Sequence, residues 1–225
     1  MKISNSILAG ALAFAAIAIP AAASADTTYD TTYAWTGGAI SPWGTTSTYG
    51  QTFFAPSDSE VLKDVSFYVM GDAGSSANYY AQVYAWSGSM FGGSGNGQAI
   101  GAPVYSSALT TYTATGGWDQ ITFDPNVALN PNEAYVALLT IPYAGGPSFV
   151  WGSTNYQHNA GNGGGGFNFY NNGGNMGLLN TSVWDNFADF GDLAYTAHFQ
   201  SVPEPAQYAV LGLGVLGLLV RRRKA

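Results

Sequence analysis

The chain has 225 residues, 47% hydrophobic and 15% aromatic, with 30 glycines and no cysteine, which excludes disulfide stapling, thiol catalysis and cysteine-ligated metals. Residues 26–201 hold twelve of the 13 carboxylates but only one basic residue, Lys63, for a formal charge of −11. Such a surface repels polyanions, so nucleic acid is excluded as a partner and an anionic membrane surface is a poor one.

The chain opens with Lys2, an apolar run from Ile7 to Ile19, and small residues ending in Ala23-Ser24-Ala25. A basic start, a short apolar stretch and Ala-x-Ala suit a signal peptidase, whose pocket admits only small side chains. Residues 1–25 are therefore expected to be a signal peptide cleaved after Ala25, leaving residues 26–201 as one secreted domain with a core of its own.

Within that domain the periodicity is that of strands. Thr27 to Thr48 predicts an edge strand and a loop, and Gly50–Ala55 a strand around Phe53 and Phe54. In Val61–Met70, the residues Val61, Val65, Phe67 and Val69 share one face and Ser66 and Tyr68 the other. Asn78–Trp86 sets Ala81, Val83 and Ala85 against Tyr80, Gln82, Tyr84 and Trp86. Gly88–Gly101 reads as a loop, Pro103–Thr111 as an irregular strand, and Trp118–Phe123 as a strand placing Trp118, Gln120 and Thr122 together. Turns at Asp124-Pro125-Asn126 and Asn130 to Glu133 bracket Val127–Leu129. Ala134–Ile141 is apolar on both faces, as a central strand beneath another layer would be. Phe149–Trp151 is a short strand, and Leu193–Gln200 alternates Leu193, Tyr195, Ala197 and Phe199 inward with Thr196, His198 and Gln200 outward.

Eight to ten short antiparallel strands without an internal repeat predict an all-β fold, a two-sheet sandwich of jelly-roll type rather than a closed barrel. Residues 157–177, rich in Gly and Asn, are expected to be a loop: an insertion, a ligand-contacting loop laying its aromatics on a surface, or a self-associating tract.

Candidate chemistry is sparse. Most carboxylates sit in turns, where Asp usually hydrogen-bonds its own backbone, so no catalytic residue is assigned and the domain is expected not to be an enzyme. His158 and His198 lack zinc spacing and read as surface residues. Two acidic groups, Asp58/Glu60/Asp64 and Asp185/Asp189/Asp192, offer hard oxygen ligands on turns, which suit a structural calcium; no other cofactor is expected. The aromatic row is the stronger clue. Tyr80, Tyr84 and Trp86, with Gln82 among them and Trp118 as an extension, could stack sugar rings and bond their hydroxyls, or could be core rings covered by a loop.

The chain closes with Val202-Pro203-Glu204-Pro205, an apolar run at 206–220, and Arg221, Arg222, Arg223 and Lys224. The prolines exclude helix from the first part. The run approaches the length of a transmembrane helix, and the basic cluster favours the cytoplasmic side, leaving the domain outside. These three parts resemble the PEP-CTERM sorting signal. The resemblance implies transient anchoring in the cytoplasmic membrane, cleavage near Pro203-Glu204-Pro205 by an exosortase-type protease, delivery to the cell surface or extracellular matrix, and a host that makes exopolysaccharide or biofilm. The stretches LKDVSFYVMG, YYAQVYAWSG and GWDQITFDPNVALNPNEAYVALLT also resemble small β-sandwich ectodomains carried by such proteins, which implies a non-catalytic fold like a carbohydrate-binding module. The expectation is an exported, proteolytically sorted surface or matrix protein contacting exopolysaccharide. A self-associating structural protein and a polysaccharide-processing enzyme with opposed carboxylates are the alternatives.

Overall fold

A computed structural model describes residues 26–41, 46–58, 61–90, 97–142, 149–154, 163–185 and 191–201. The expected signal peptide (1–25), the Val202–Pro205 motif, the apolar run 206–220 and the basic residues 221–224 lie outside the described residues. Among the described residues no helix is long and apolar enough to cross a membrane.

The alternating segments form β1 (Thr27–Asp30), β2 (Ala39–Ile40), β3 (Thr48–Phe54), β4 (Val61–Met70), β5 (Ser76–Gly88), β6 (Gly97–Ser106) and β7 (Thr110–Thr113). They continue with β8 (Trp118–Phe123), β9 (Val127–Ala128), β10 (Ala134–Thr140), β11 (Val150–Gly152), β12 (Phe167–Tyr170) and β13 (Tyr195–Gln200). They build two antiparallel sheets, an all-β arrangement consistent with a sandwich. In the first sheet β4 is central. Val65 pairs with Ala197 on one side and Phe123 on the other, and Met70 with Val150 and Trp118. Thus β13 and β11 follow one another along one edge of β4, while β8 and β9 follow the other; β1 borders β13 and β2 borders β11. The second sheet runs β12-β3-β10-β5, with β6 and β7 along the free edge of β5.

The main core lies between the sheets. Val65, Phe67, Val69, Tyr195 and Phe199 of the first meet Tyr49, Phe53, Val83, Tyr135 and Leu139 of the second. Tyr49 stacks on Trp151 at 5.2 Å, and Phe53 meets Phe199 edge-on at 5.7 Å. β10 sends Tyr135, Ala137 and Leu139 into this core and Val136 and Leu138 into a second cluster on the far face of its sheet, so its two apolar faces have two separate burials. Among the described residues the strand pairings and both clusters fall within the compact unit Ser24–Val202, which has a core of its own.

Three expectations change. Leu62, not Val61, joins the core face of β4, because the register jumps from Asp64↔His198 to Leu62↔Phe199 and leaves Lys63 as an extra, bulged residue. The loop expected at Gly88–Gly101 is shorter, since β6 begins at Gly97. Within 157–177, whose described part starts at residue 163, Phe167–Tyr170 is a strand on β3 with Phe167 and Phe169 buried in the main core. The tract is low in apolar volume, but alternation directs its two phenylalanines onto Tyr49.

Candidate functional site

The outer faces of the two sheets differ. On the second sheet, Tyr84 and Trp86 of β5 and Val136 and Leu138 of β10 point away from the main core, as alternation requires, but the segment after β12 lies over them. Its Trp184 is fully buried, 5.5 Å edge-to-face from Trp86 and 6.0 Å in a stack with Tyr170. The Trp184 indole donates to the Leu179 carbonyl at 2.7 Å, and its backbone N–H to Gly97 at 2.8 Å. Gly97 is glycine for a local reason: a Cβ there would sit 2.5 Å from the Trp86 ring and 2.3 Å from the Ser89 carbonyl.

The aromatic row inferred from sequence is therefore a row, but a covered one. Gln82, Tyr84 and Trp86 are 3%, 4% and 5% exposed, and only Tyr80 is half-exposed. Gln82 donates to Ser106 at 3.1 Å, Trp86 donates to Ser89 at 3.2 Å, and burial pushes the Tyr84 phenol above its ordinary pKa. In this arrangement the row cannot act as an open platform. Trp118 does not extend it, because β8 belongs to the other sheet.

Among the described residues the outer face of the first sheet is mostly polar, with Thr28, Gln120, Thr122, His198 and Gln200 exposed and one aromatic corner. Register places Trp118 beside Met70 and Gln120 beside Tyr68, while Trp35 comes over from the 3-10 turn after β1. The Trp35 and Trp118 rings meet edge-to-face at 4.8 Å and 89°, and Trp35 lies 5.3 Å from Tyr68. All three rings are half-buried. The Trp35 indole donates to the Gly38 carbonyl at 2.8 Å, and its ring rests over Gly152, where a Cβ would come within 3.0 Å of it. Beneath β8, the Asp119 carboxylate accepts from the Tyr112 hydroxyl at 2.6 Å and from the Thr115 N–H and hydroxyl at 3.0 and 2.7 Å. These bonds, that of Tyr112 first, hold Asp119 below the usual carboxylate range, and they fix the turn that delivers Trp118.

Farther along this face Ser66 and Thr122 share a 2.8 Å hydrogen bond. At its far end His198 Nδ1 lies 2.6 Å from Asp64, in a shallow groove of about 300 Å³ that also touches Asp26, Thr28, Lys63 and Gln200. His158 lies outside the described residues.

Of the proposed calcium ligands, Asp192 is buried and accepts from the Gln51 amide at 2.8 Å, Asp185 pairs through its backbone with Phe169, and Asp189 lies outside the described residues. In the other acidic group, Asp64 is engaged by His198, and Glu60 lies outside the described residues. Among the described residues no three His or acidic side chains stand close enough together to hold a metal.

Sequence reasoning missed Trp35 as a partner of Trp118, and Trp184 as the cover of Trp86. The outward setting of both Tyr68 and Trp118 was readable from alternation; their adjacency depends on a pairing between distant strands.

The fold and its termini define a two-sheet, all-β domain followed directly by a processing segment. Residues 201–224 match the profile of the PEP-CTERM protein-sorting motif, which implies export and handling by an exosortase-type sorting protease. No curated protein and no solved structure matches the chain.

Proposed function

We propose that this is a non-catalytic surface or extracellular-matrix protein that passes through the inner membrane, is released near Pro203-Glu204-Pro205, and contacts exopolysaccharide through a jelly-roll-type sandwich resembling a carbohydrate-binding module. The carrying observation is the half-exposed Trp35–Tyr68–Trp118 corner on a sheet face that is mostly polar among the described residues. Half-exposed indole and phenol rings offer apolar faces to sugar C–H groups, and the Gln120 amide beside them offers both a donor and an acceptor. Signal peptidase and the sorting protease are the processing partners. The test is glycan-array binding by residues 26–201, with and without calcium, for the parent domain and Trp118→Ala. Saturable binding lost in the variant supports the reading. Absence of binding by the parent under both conditions refutes it.

A second reading, self-association without glycan contact, is favoured by Ile100, Val104 and Leu109, which are exposed along the β6–β7 margin. It predicts a sedimentation coefficient that rises with protein concentration and falls back in Val104→Lys.

A further inference from the structure

We propose that the outer face of the β4 sheet is an extended strip for an internal stretch of an uncharged polysaccharide, lying along the strands from the Trp118 corner to the Gln200–His198 groove. This rests on the glycan reading above and adds ligand length and charge to it.

Length follows from register. Trp118 pairs with Met70 at one end of β4 and His198 with Asp64 toward the other, six residues apart. At strand rise that is roughly 20 Å, several pyranose rings rather than one. Along the strip the sequence supplies aromatic rings, then the Tyr68–Gln120 rung, the exposed Thr122 hydroxyl held by the buried Ser66, and the groove with Gln200. Gln120 and Gln200 are both exposed, with side chains that have no hydrogen-bond partner among the described residues. A free amide near each end can bond neutral hydroxyls in either polarity.

Charge follows from composition. Asp30 and Asp64 belong to this face, and the one Lys or Arg of residues 26–201, Lys63, lines the groove together with Asp26 and Asp64. A polyuronate or sulfated chain would meet net negative charge along the strip, whereas an uncharged chain loses nothing by it. Among the described residues the groove is open, so a chain can continue past it, and no terminal sugar is required.

The experiment is titration calorimetry on residues 26–201 with β-1,4-glucan, β-1,3-glucan and β-1,4-mannan oligosaccharides of two, four and six units, and with a hexameric oligouronate. The expected result is affinity that rises about tenfold or more from two to six units for at least one neutral series, with the oligouronate weaker. Gln200→Ala should weaken the hexamer severalfold and leave the dimer unchanged; Gln120→Ala should weaken both. Equal affinity for dimer and hexamer, with both lost in Trp118→Ala, overturns the strip while leaving the glycan reading intact. An oligouronate that binds as tightly as the neutral hexamer also overturns it. If no oligosaccharide binds, the strip and the glycan reading fail together.

Discussion

Truncating Trp184 to alanine tests whether the segment after β12 is a true second core layer over the aromatic row. The side chain is 0% exposed, contacts Trp86 and Tyr170, and satisfies its indole N–H on Leu179. Removing a buried tryptophan costs about 3–5 kcal/mol when the site collapses only in part. For a domain of this size each kcal/mol lowers Tm by about 2–4 °C, so a fall of about 10 °C is expected by calorimetry. Trp118→Ala is the contrast. Its half-buried ring should cost about 1–2 kcal/mol, roughly 2–8 °C and less than the loss at Trp184. The Trp184 variant should also uncover Trp86, seen as a red-shifted emission and faster acrylamide quenching. A Tm within about 3 °C of the parent, with unchanged quenching, would refute the packing argument and return Tyr84 and Trp86 to the candidate ligand surface.

Gln51→Leu should destabilise by about 2–3 kcal/mol in urea unfolding, because the buried amide both donates to Asp192 and accepts from the Leu193 N–H; a loss below about 0.5 kcal/mol would contradict that role. Gly97→Ala should be among the costliest small substitutions, about 1–3 kcal/mol or more, since its Cβ meets both a ring and a backbone oxygen; a neutral outcome by the same assay would mean the strap is loosely seated. The depressed pKa of Asp119 means that its stabilisation is present above the unfolded carboxylate range and is lost as pH falls through the lower folded value. Asp119→Asn should therefore flatten part of the acid limb of Tm against pH, and an unchanged limb speaks against the Tyr112–Asp119 lock. Tyr29 is raised to about 12 by burial first and by the Asp58 charge second, so its contribution is intact below pH ~10 and lost as pH rises toward 12. Spectrophotometric titration should find tyrosines that ionise only with unfolding; full reversible ionisation near pH ~10 would exclude that.

Face assignments were legible in the sequence because they are local. A side chain two residues along a strand returns to the same face, so the split in β5 between Ala81 and Val83 on one side and Tyr84 and Trp86 on the other followed from spacing alone. The same reasoning located β10 as a doubly covered strand, since only a central strand with layers on both sides can bury Leu138 and Leu139 together. It failed at Val61 and Leu62, where a bulge at Lys63 shifts the phase; a bulge arises from pairing with β13, about 135 residues away in sequence, and leaves no local mark.

What covers a face is a long-range property, and the candidate site turned on it. Tyr84, Trp86 and Trp118 have equivalent local patterns: large aromatics at outward positions of a strand. They part company because Trp184, nearly a hundred residues after Trp86, closes over one sheet, whereas among the described residues Trp118 is met by the Trp35 ring with both indoles left half-exposed. The polar neighbours of each site carried part of that distinction. Gln82, between Tyr80 and Tyr84, is buried and donates to Ser106, while Gln120, next to Trp118 on its face, is exposed. A single Gln→Ala substitution at each position therefore separates a structural face from a binding face. Gln82→Ala should lower stability by about 1 kcal/mol with no change in ligand affinity, and Gln120→Ala should do the reverse. Stability lost at both positions, with affinity untouched, would leave neither sheet face with a ligand role.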